Sequence, residues 1–237
     1  METRWKSSPD ELDCLVRKSV VLSWSGGKDS ALALDALSTD PTVQVVGLLT
    51  SVTREYERIS VHGVRRSMLE AQVQRLGLPL FEIALSPACT NDAYELAFHE
   101  ALERIRRELP DVVHIAFGDL FLEDVRAYRE RLLSGTGFQP LFPIWGLDTA
   151  SLARRFISHG FVARLVCVDT TQLDATFAGR LFDEKLLADL PATVDPCGER
   201  GEFHTFVSGG PLFSAAIPYR VGETVLRDDR FMFCDIQ

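Results

Sequence analysis

Short apolar runs alternate with segments of helical periodicity through the first 145 residues. Each apolar run has the length of a buried strand, and glycine, proline or polar residues separate it from its neighbours. The predicted strands are Ser19–Trp24, Val43–Thr50, Leu80–Leu85, Val112–Phe117 and Gln139–Ile144. The predicted helices are Asp29–Leu37, Gly63–Leu76, Asp92–Leu109 and Leu120–Leu133. Strands that alternate with helices of this length need crossover connections. The pattern therefore predicts an α/β fold with a doubly wound parallel sheet of five strands.

The pattern changes after residue 145. One more helix and strand are predicted at Thr149–His159 and Phe161–Asp169, followed by a short helix at Asp183–Leu190. Prolines and glycines then precede two β-like runs, Val221–Leu226 and Phe231–Cys234. We expect a tail over residues 1–18, a first domain over 19–145, and a smaller α+β domain over 146–237. The smaller domain should pack beside the carboxyl ends of the parallel strands.

Charge and apolar patterning exclude several classes of function. The chain has 25 basic and 34 acidic residues and a net charge of −9. Nucleic-acid binding depends on Lys and Arg near phosphates, so a nucleic-acid substrate is not expected. No apolar run approaches the roughly 20 residues of a membrane span, and the N-terminus has no signal-like segment. The five cysteines form no CxxC pair. We expect a soluble, cytoplasmic protein without disulfides or a zinc site. The sequence does not indicate an oligomeric state.

A glycine-rich turn joins the first predicted strand to the first predicted helix. It runs Ser23-Trp24-Ser25-Gly26-Gly27-Lys28-Asp29-Ser30. Ligands of doubly wound sheets bind beyond the carboxyl ends of the strands. The two glycines let backbone N–H groups approach an anion, and the helix N-terminus adds partial positive charge. Ser25 and Ser30 add hydroxyls, and Lys28 adds a cation. Asp29 is expected to be either the N-cap or a ligand of the metal that accompanies a polyphosphate.

A second polar segment lies near the C-terminus. Glu199, Glu202, His204 and Thr205 fall within a stretch that starts at Asp195-Pro196 and contains glycines at two positions. We expect this stretch to be a loop that lines a polar pocket. Its carboxylates could orient ammonium or ammonia, and His204 could transfer a proton near neutral pH. The loop should face Gly26-Gly27 across the cleft.

These segments carry a family resemblance. SGGKDS after a buried strand resembles the signature of the PP-loop ATP pyrophosphatases, and GERGEFHT resembles a motif of the diphthine–ammonia ligase family within them. Agreement extends from about Val20 to Phe213. It includes Val61-His62-Gly63, Gly118-Asp119 and the stretch Pro140-Leu141-Phe142-Pro143-Ile144-Trp145. The chain is identified as a member of this family, whose fold is the adenine nucleotide alpha hydrolase-like, or HUP, fold.

The resemblance implies an enzyme with ATP and Mg2+ as cofactors. ATP adenylates a carboxylate and releases pyrophosphate, and ammonia then displaces AMP to leave an amide. The implied catalytic residues are Lys28, Asp29, Glu199, Glu202 and His204. The implied ATP-binding residues are Ser23, Ser25, Gly26, Gly27, Lys28, Asp29, Ser30, Gly118 and Asp119, with Asp29 as the metal ligand. The implied acceptor-binding residues are His62, Glu202, His204 and Thr205. The acceptor is a carboxylate-bearing partner, either protein-bound diphthine or a small molecule.

One segment departs from the better-known members. They tend to carry a Tyr-Gln-Arg stretch after the fourth strand, whereas Gly118–Arg126 has additional acidic residues and lacks that Tyr. A bacterial member would need another carboxylate than diphthine. Two alternatives stay open: a tRNA-modifying PP-loop enzyme that thiolates through Cys89 or Cys197, and a nucleotide-binding module without catalysis. His62 is equally compatible with a surface role. For Asp119 a functional role is favoured over a role in a turn.

Overall fold

The computed structural model describes residues 17–60 and 63–237. Six strands and four helices form the first part of the chain. They are β1 Lys18–Ser23, α1 Lys28–Thr39, β2 Val43–Thr53, β3 Arg58–Ile59, α2 Arg66–Leu76, β4 Leu80–Leu85, α3 Asn91–Glu108, β5 His114–Ala116, α4 Glu123–Leu133 and β6 Gln139–Leu141. The predicted tail over residues 1–18 lies outside the described residues except for Arg17 and Lys18, and Lys18 begins β1.

The first sheet has five parallel strands in the order β4–β2–β1–β5–β6. The predicted α/β class and the parallel sheet are confirmed. The two-residue strand β3 adds an antiparallel pairing at the carboxyl end of β2, and the sequence did not indicate it. Both faces of the sheet are covered. Val20 and Leu22 belong to one hydrophobic cluster and Val21 to another, as the alternation of side chains along a strand requires.

The rest of the chain forms a second sheet with two helices. These elements are α5 Thr149–Ser158, β7 Val162–Asp169, α6 Glu184–Asp189, β8 Phe203–Gly209, β9 Val221–Arg227 and β10 Phe231–Ile236. The strands are antiparallel in the order β8–β7–β10–β9. The smaller α+β unit is therefore present. The boundary at residues 145 and 146 stays a prediction, because one hydrophobic cluster extends from β1 to β8.

The expected loop around His204 and Thr205 is wrong in part. Both residues lie on β8, which pairs with β7, and only the preceding segment is a loop. Helix α4 begins at Glu123 instead of Leu120. In the segment before the helix, the N–H groups of Leu120 and Phe121 donate to the Glu199 carboxylate, at 2.8 and 3.4 Å.

Among the described residues, no helix combines the length and the apolar character that crossing a bilayer requires. Four free cysteines lie in the described part of the chain, at positions 89, 167, 197 and 234.

Candidate active site

The glycine-rich turn lies at the carboxyl end of β1, at the point where the sheet order reverses. Gly26 has φ +78°, a left-handed conformation that a residue with a side chain adopts only with strain. Gly27 is the N-cap of α1, in an extended conformation. The alternative role of Asp29 as the N-cap is therefore wrong, since Asp29 lies within the first turn. Ser30 Oγ donates to the Gly27 carbonyl at 2.8 Å, and Gly27 N–H donates to Ser25 Oγ at 3.3 Å.

The buried Lys28 and the half-buried Asp29 form an ion pair in this turn. Lys28 is 2 % exposed, and its Nζ lies 2.9 Å from Asp29 Oδ2 and 5.3 Å from the centre of the Phe203 ring. Burial alone would lower the pKa of Lys28, but the adjacent Asp29 carboxylate is the main group that outweighs it and raises the pKa. The ammonium therefore stays charged. Burial raises the pKa of Asp29 against the opposing effect of Lys28, and Asp29 Oδ1 is a buried oxygen without a hydrogen-bond partner.

Strand β8, from the second sheet, packs against the glycine-rich turn. This turn, residues 23–30, is called the phosphate loop below, after the role that the sequence predicts for it. Lys28 N–H donates to Thr205 Oγ1 at 3.0 Å, across 177 positions of sequence, and Val207 N–H donates to the Gly26 carbonyl at 2.9 Å. The C-terminal segment thus faces Gly26-Gly27, as expected. The Thr205 hydroxyl satisfies one of the N–H groups that the first turn of a helix leaves without a partner.

A cleft with a volume of about 490 Å³ opens above the loop, within the range of small-molecule sites. Most of the predicted site residues line it. They are Ser23, Ser25, Lys28, Asp29, Ser30, Gly118, Asp119, Glu199, His204 and Thr205. His62 lies outside the described residues. Gly26, Gly27 and Glu202 do not belong to the lining.

Glu202 stabilises the loop that precedes β8. It is 1 % exposed, Oε1 accepts from Asp195 N–H at 2.8 Å, and Oε2 accepts from Arg200 N–H at 2.9 Å. Both carboxylate oxygens are therefore engaged by backbone groups of the same loop. This geometry supports a positioning role for Glu202 in place of a direct contact with the acceptor.

Glu202→Gln is expected to destabilise the protein. The amide can accept only one of the two backbone bonds and presents its own N–H₂ to the other donor, which costs about 1–3 kcal/mol. For a chain of this size each kcal/mol corresponds to a fall of roughly 2–4 °C in Tm. Thermal unfolding measures the effect, with the exposed Glu223→Gln on β9 as the control. An unchanged Tm together with lost activity would restore the catalytic role.

Glu199 and His204 form a polar wall of the cleft that comes from the C-terminal part of the chain. Burial raises the pKa of Glu199 to about 7, although the N–H groups of Leu120 and Phe121 favour its charged form. Burial and the nearby Lys28 ammonium lower the pKa of His204 to about 4. The imidazole is therefore neutral at pH 7. Proton exchange near neutral pH is better suited to Glu199 than to His204, the reverse of the sequence-based expectation.

Gly118 and Asp119 follow β5 at the middle of the cleft. A Cβ atom on Gly118 would lie 3.0 Å from the Asp29 carbonyl, so the absence of a side chain lets β5 end against the phosphate loop. Asp119 Oδ2 lies 3.4 Å from Arg129 Nε, and burial raises the pKa of this carboxyl against the effect of Arg129.

Arg129 and Tyr94 line the cleft from helices α4 and α3, and sequence reasoning missed both. Arg129 lies over the Phe117 ring, 5.0 Å from its centre, and Nη1 lies 3.5 Å from Tyr94 Oη. Both of its hydrogen bonds are at the long limit for N–H donors. Among the described lining residues, Lys28 and Arg129 are the cations. A helical arginine ten positions after Asp119 gives no local signal that it faces a cleft.

Cys197 is not a thiolate in this environment. Its Sγ–H donates to the Thr149 carbonyl at 3.3 Å, and burial raises the pKa of the thiol to about 12. The thiol therefore stays protonated and unreactive at neutral pH. This finding removes Cys197 from the thiolation alternative.

The glycine-rich turn lies at the switch point of a doubly wound sheet and is hydrogen-bonded to β8 of a second sheet, which is consistent with the fold of PP-loop proteins. Comparison with known proteins narrows the class. The family model described as the diphthamide synthase N-terminal domain matches residues 17–140, and the one described as its C-terminal domain matches residues 148–236. The chain belongs to the diphthamide synthase family.

The chain is also similar, at low sequence identity, to curated proteins named diphthine–ammonia ligase. The chain is 26 % identical over 226 residues to a diphthine–ammonia ligase of Danio rerio, an alignment that covers 86 % of this chain and 88 % of the relative. It is 29 % identical over 223 residues to a diphthine–ammonia ligase of Homo sapiens, covering 85 % and 83 %. A diphthine–ammonia ligase of Schizosaccharomyces pombe is 23 % identical over 209 residues, but the alignment covers only 34 % of that longer protein.

Proposed function

We propose that this protein is an ATP-dependent ligase that converts a carboxylate into an amide. The observation that carries the proposal is that the phosphate loop and the Glu199–His204 wall face the same cleft. In the proposed reaction the acceptor carboxylate attacks the α-phosphorus of ATP and pyrophosphate leaves. Ammonia then attacks the acyl carbon and AMP leaves. The names of the relatives support this reaction type.

The phosphate loop is suited to the leaving pyrophosphate. Lys28 is a buried, charged ammonium next to the N-terminus of α1, and a charge-assisted bond to phosphate is stronger than a neutral one. The buried and unpartnered Asp29 Oδ1 fits a Mg2+ ion. No group of three protein ligands exists among residues 17–60 and 63–237, so Asp29 would hold this ion together with the phosphates of ATP. When bound, Mg2+ neutralises charge on those phosphates.

Arg129 is suited to the acceptor carboxylate. It approaches the cleft from the face of the sheet that α3 and α4 cover, opposite α1 and the phosphate loop. Its long bonds to Asp119 and Tyr94 leave its fork-shaped donor set able to bind a carboxylate at two points. The acceptor is therefore a molecule that presents a carboxylate to Arg129. Protein-bound diphthine and small carboxylates both have this chemistry.

Glu199 is suited to the ammonia step. Ammonium is the stable form of the donor at pH 7, and a carboxylate of pKa about 7 can take its proton. Free ammonia then attacks the activated carbonyl. The neutral His204 can donate or accept a hydrogen bond nearby, since its pKa of about 4 keeps it uncharged.

An acceptor screen tests the proposal. Pyrophosphate release from ATP is measured with diphthine-bearing elongation factor 2, with pools of small carboxylates, and with neither, each in the presence and absence of ammonium. We expect pyrophosphate release to depend on one acceptor and amide formation to depend on ammonium as well. Binding of ATP without pyrophosphate release under any of these conditions would favour the binding-module alternative.

Lys28→Ala is expected to weaken ATP binding by roughly 10- to 100-fold, since a charge-assisted bond to phosphate is worth about 1.5–3 kcal/mol. Calorimetry with Mg2+ present measures the change. Lys18→Ala is the control, because Lys18 is exposed at the opposite end of β1. Wild-type affinity in Lys28→Ala would contradict the assignment of the phosphate loop.

A further inference from the structure

Gln72 occupies an unusual position for an amide side chain. It lies on α2, is 0 % exposed, and contacts the interior side of the phosphate loop. A buried amide group is unfavourable unless its polar atoms are hydrogen-bonded. Here they are bonded to three residues in two segments of the chain, the glycine-rich turn and β8. Nothing in the sequence distinguishes this glutamine from an exposed one such as Gln74, two positions further along the same helix.

The three hydrogen bonds of Gln72 join the phosphate loop to β8. Trp24 Nε1–H donates to Gln72 Oε1 at 3.0 Å, and Gln72 Nε2 donates to the Gly26 carbonyl at 2.9 Å. The same Nε2 donates its second hydrogen to the Val207 carbonyl on β8 at 2.7 Å. Gln72 therefore binds Trp24, two positions before the first glycine, the first glycine itself, and β8 of the second sheet.

Gly26 is held from two sides. Its carbonyl accepts both from Gln72 and from Val207 N–H at 2.9 Å. A Cβ atom on Gly26 would lie 2.6 Å from Gln72 Oε1, so the Gln72 side chain packs directly against the left-handed glycine of the loop. The left-handed backbone of Gly26 is thus held jointly by the Gln72 amide and by β8.

We propose that Gln72 is a positioning residue of the proposed ligase site, which sets the shape of the phosphate loop and couples it to β8. Strand β8 carries His204 and Thr205 on the acceptor side. Through Gln72 the nucleotide half and the acceptor half of the cleft keep one relative position. This inference rests on the proposed use of the loop for ATP phosphates. It assigns to Gln72 no contact with ATP itself.

Gln72→Met tests the inference, because methionine has a similar shape and makes none of the three bonds. Calorimetry compares ATP with adenosine, which lacks the phosphates that the loop would bind. We expect the Kd for ATP to rise about tenfold or more and the Kd for adenosine to change less than twofold. Gln74→Met, on the exposed side of α2, should change neither. Equal losses for ATP and adenosine would show a merely structural role and overturn the proposal, as would an unchanged Kd for ATP.

A measurement on the wild-type protein covers the case in which Gln72→Met does not fold. Inorganic pyrophosphate is added to isotope-labelled protein, and the side-chain N–H signals of Gln72, Gln74 and Trp24 are followed by NMR. The signals of Gln72 and Trp24 should shift at saturation and that of Gln74 should not. Saturation without a shift at Gln72 overturns the positioning role but leaves the ligase proposal standing. Wild-type protein that binds neither ATP nor pyrophosphate overturns both.

Discussion

Gly26→Ala is expected to abolish measurable ATP binding. Alanine at φ +78° is strained by about 1–2 kcal/mol. Its Cβ would also lie 2.6 Å from Gln72 Oε1, so either the loop or the buried amide must move. Displacement of the loop would separate the Gly26 carbonyl from β8 and turn backbone N–H groups away from the phosphates. Equilibrium binding of ATP by calorimetry measures the effect.

Gly160→Ala is the matched control. Gly160 has φ +79°, and nothing lies within 4 Å of the position that its Cβ would take. The Gly160→Ala substitution therefore reproduces the backbone strain without the steric clash. Both variants should have a lower Tm in thermal unfolding, but only Gly26→Ala should lose the binding of ATP. If both variants bind ATP as the wild type does, the phosphate loop is not where the nucleotide binds.

Glu199→Gln is expected to lower the rate of amide formation by about 100-fold or more, the range that general acid–base groups contribute. The wild-type rate should rise with pH, with a midpoint near 7, because only the carboxylate can accept the proton of ammonium. The variant should lack this midpoint. Its amide oxygen can still accept the Leu120 N–H bond, so the loop and ATP binding should be preserved.

The same substitution should not lower stability above pH 7. The pKa of Glu199 is raised from 4.5 to about 7 in the folded protein, so the folded state binds this proton more tightly than the unfolded chain. Ionisation therefore destabilises the fold as the pH rises from 4.5 through 7. Glutamine carries no such charge. Thermal unfolding at pH 8 should give Glu199→Gln a Tm equal to or above the wild-type value. A large fall in Tm with a proportional fall in rate would make Glu199 a structural residue.

The parallel sheet could be predicted because strand and helix periodicity are local signals. The run Val20-Val21-Leu22 has no polar residue, which is typical of a strand covered on both faces, and all three side chains are fully buried. Strand β8 was not predictable in the same way. Its first residues, Phe203, His204 and Thr205, follow a glycine-rich stretch, and their strand geometry depends on pairing with β7.

The site could be predicted where glycines and charges follow a strand directly, as at Gly26-Gly27-Lys28. It could not be predicted where the function of a residue depends on tertiary position. Gln72 and Arg129 occur in helices among other polar residues, and only the packing of α2 and α4 turns them inwards. For Glu202 the residue type suggested a catalytic role. Its position within a tight loop instead lets both carboxylate oxygens accept hydrogen bonds from backbone N–H groups.

Analysis of the products formed from ATP tests the central proposal most directly. Full-length protein is incubated with ATP, Mg2+, ammonium and the acceptor that the screen yields, and phosphorus NMR follows the nucleotide and phosphate species. The account predicts AMP and pyrophosphate in equal amounts, with one amide formed for each AMP. ADP and orthophosphate as the main products would show cleavage at the γ-phosphorus and would contradict the assignment of this cleft to carboxylate adenylation.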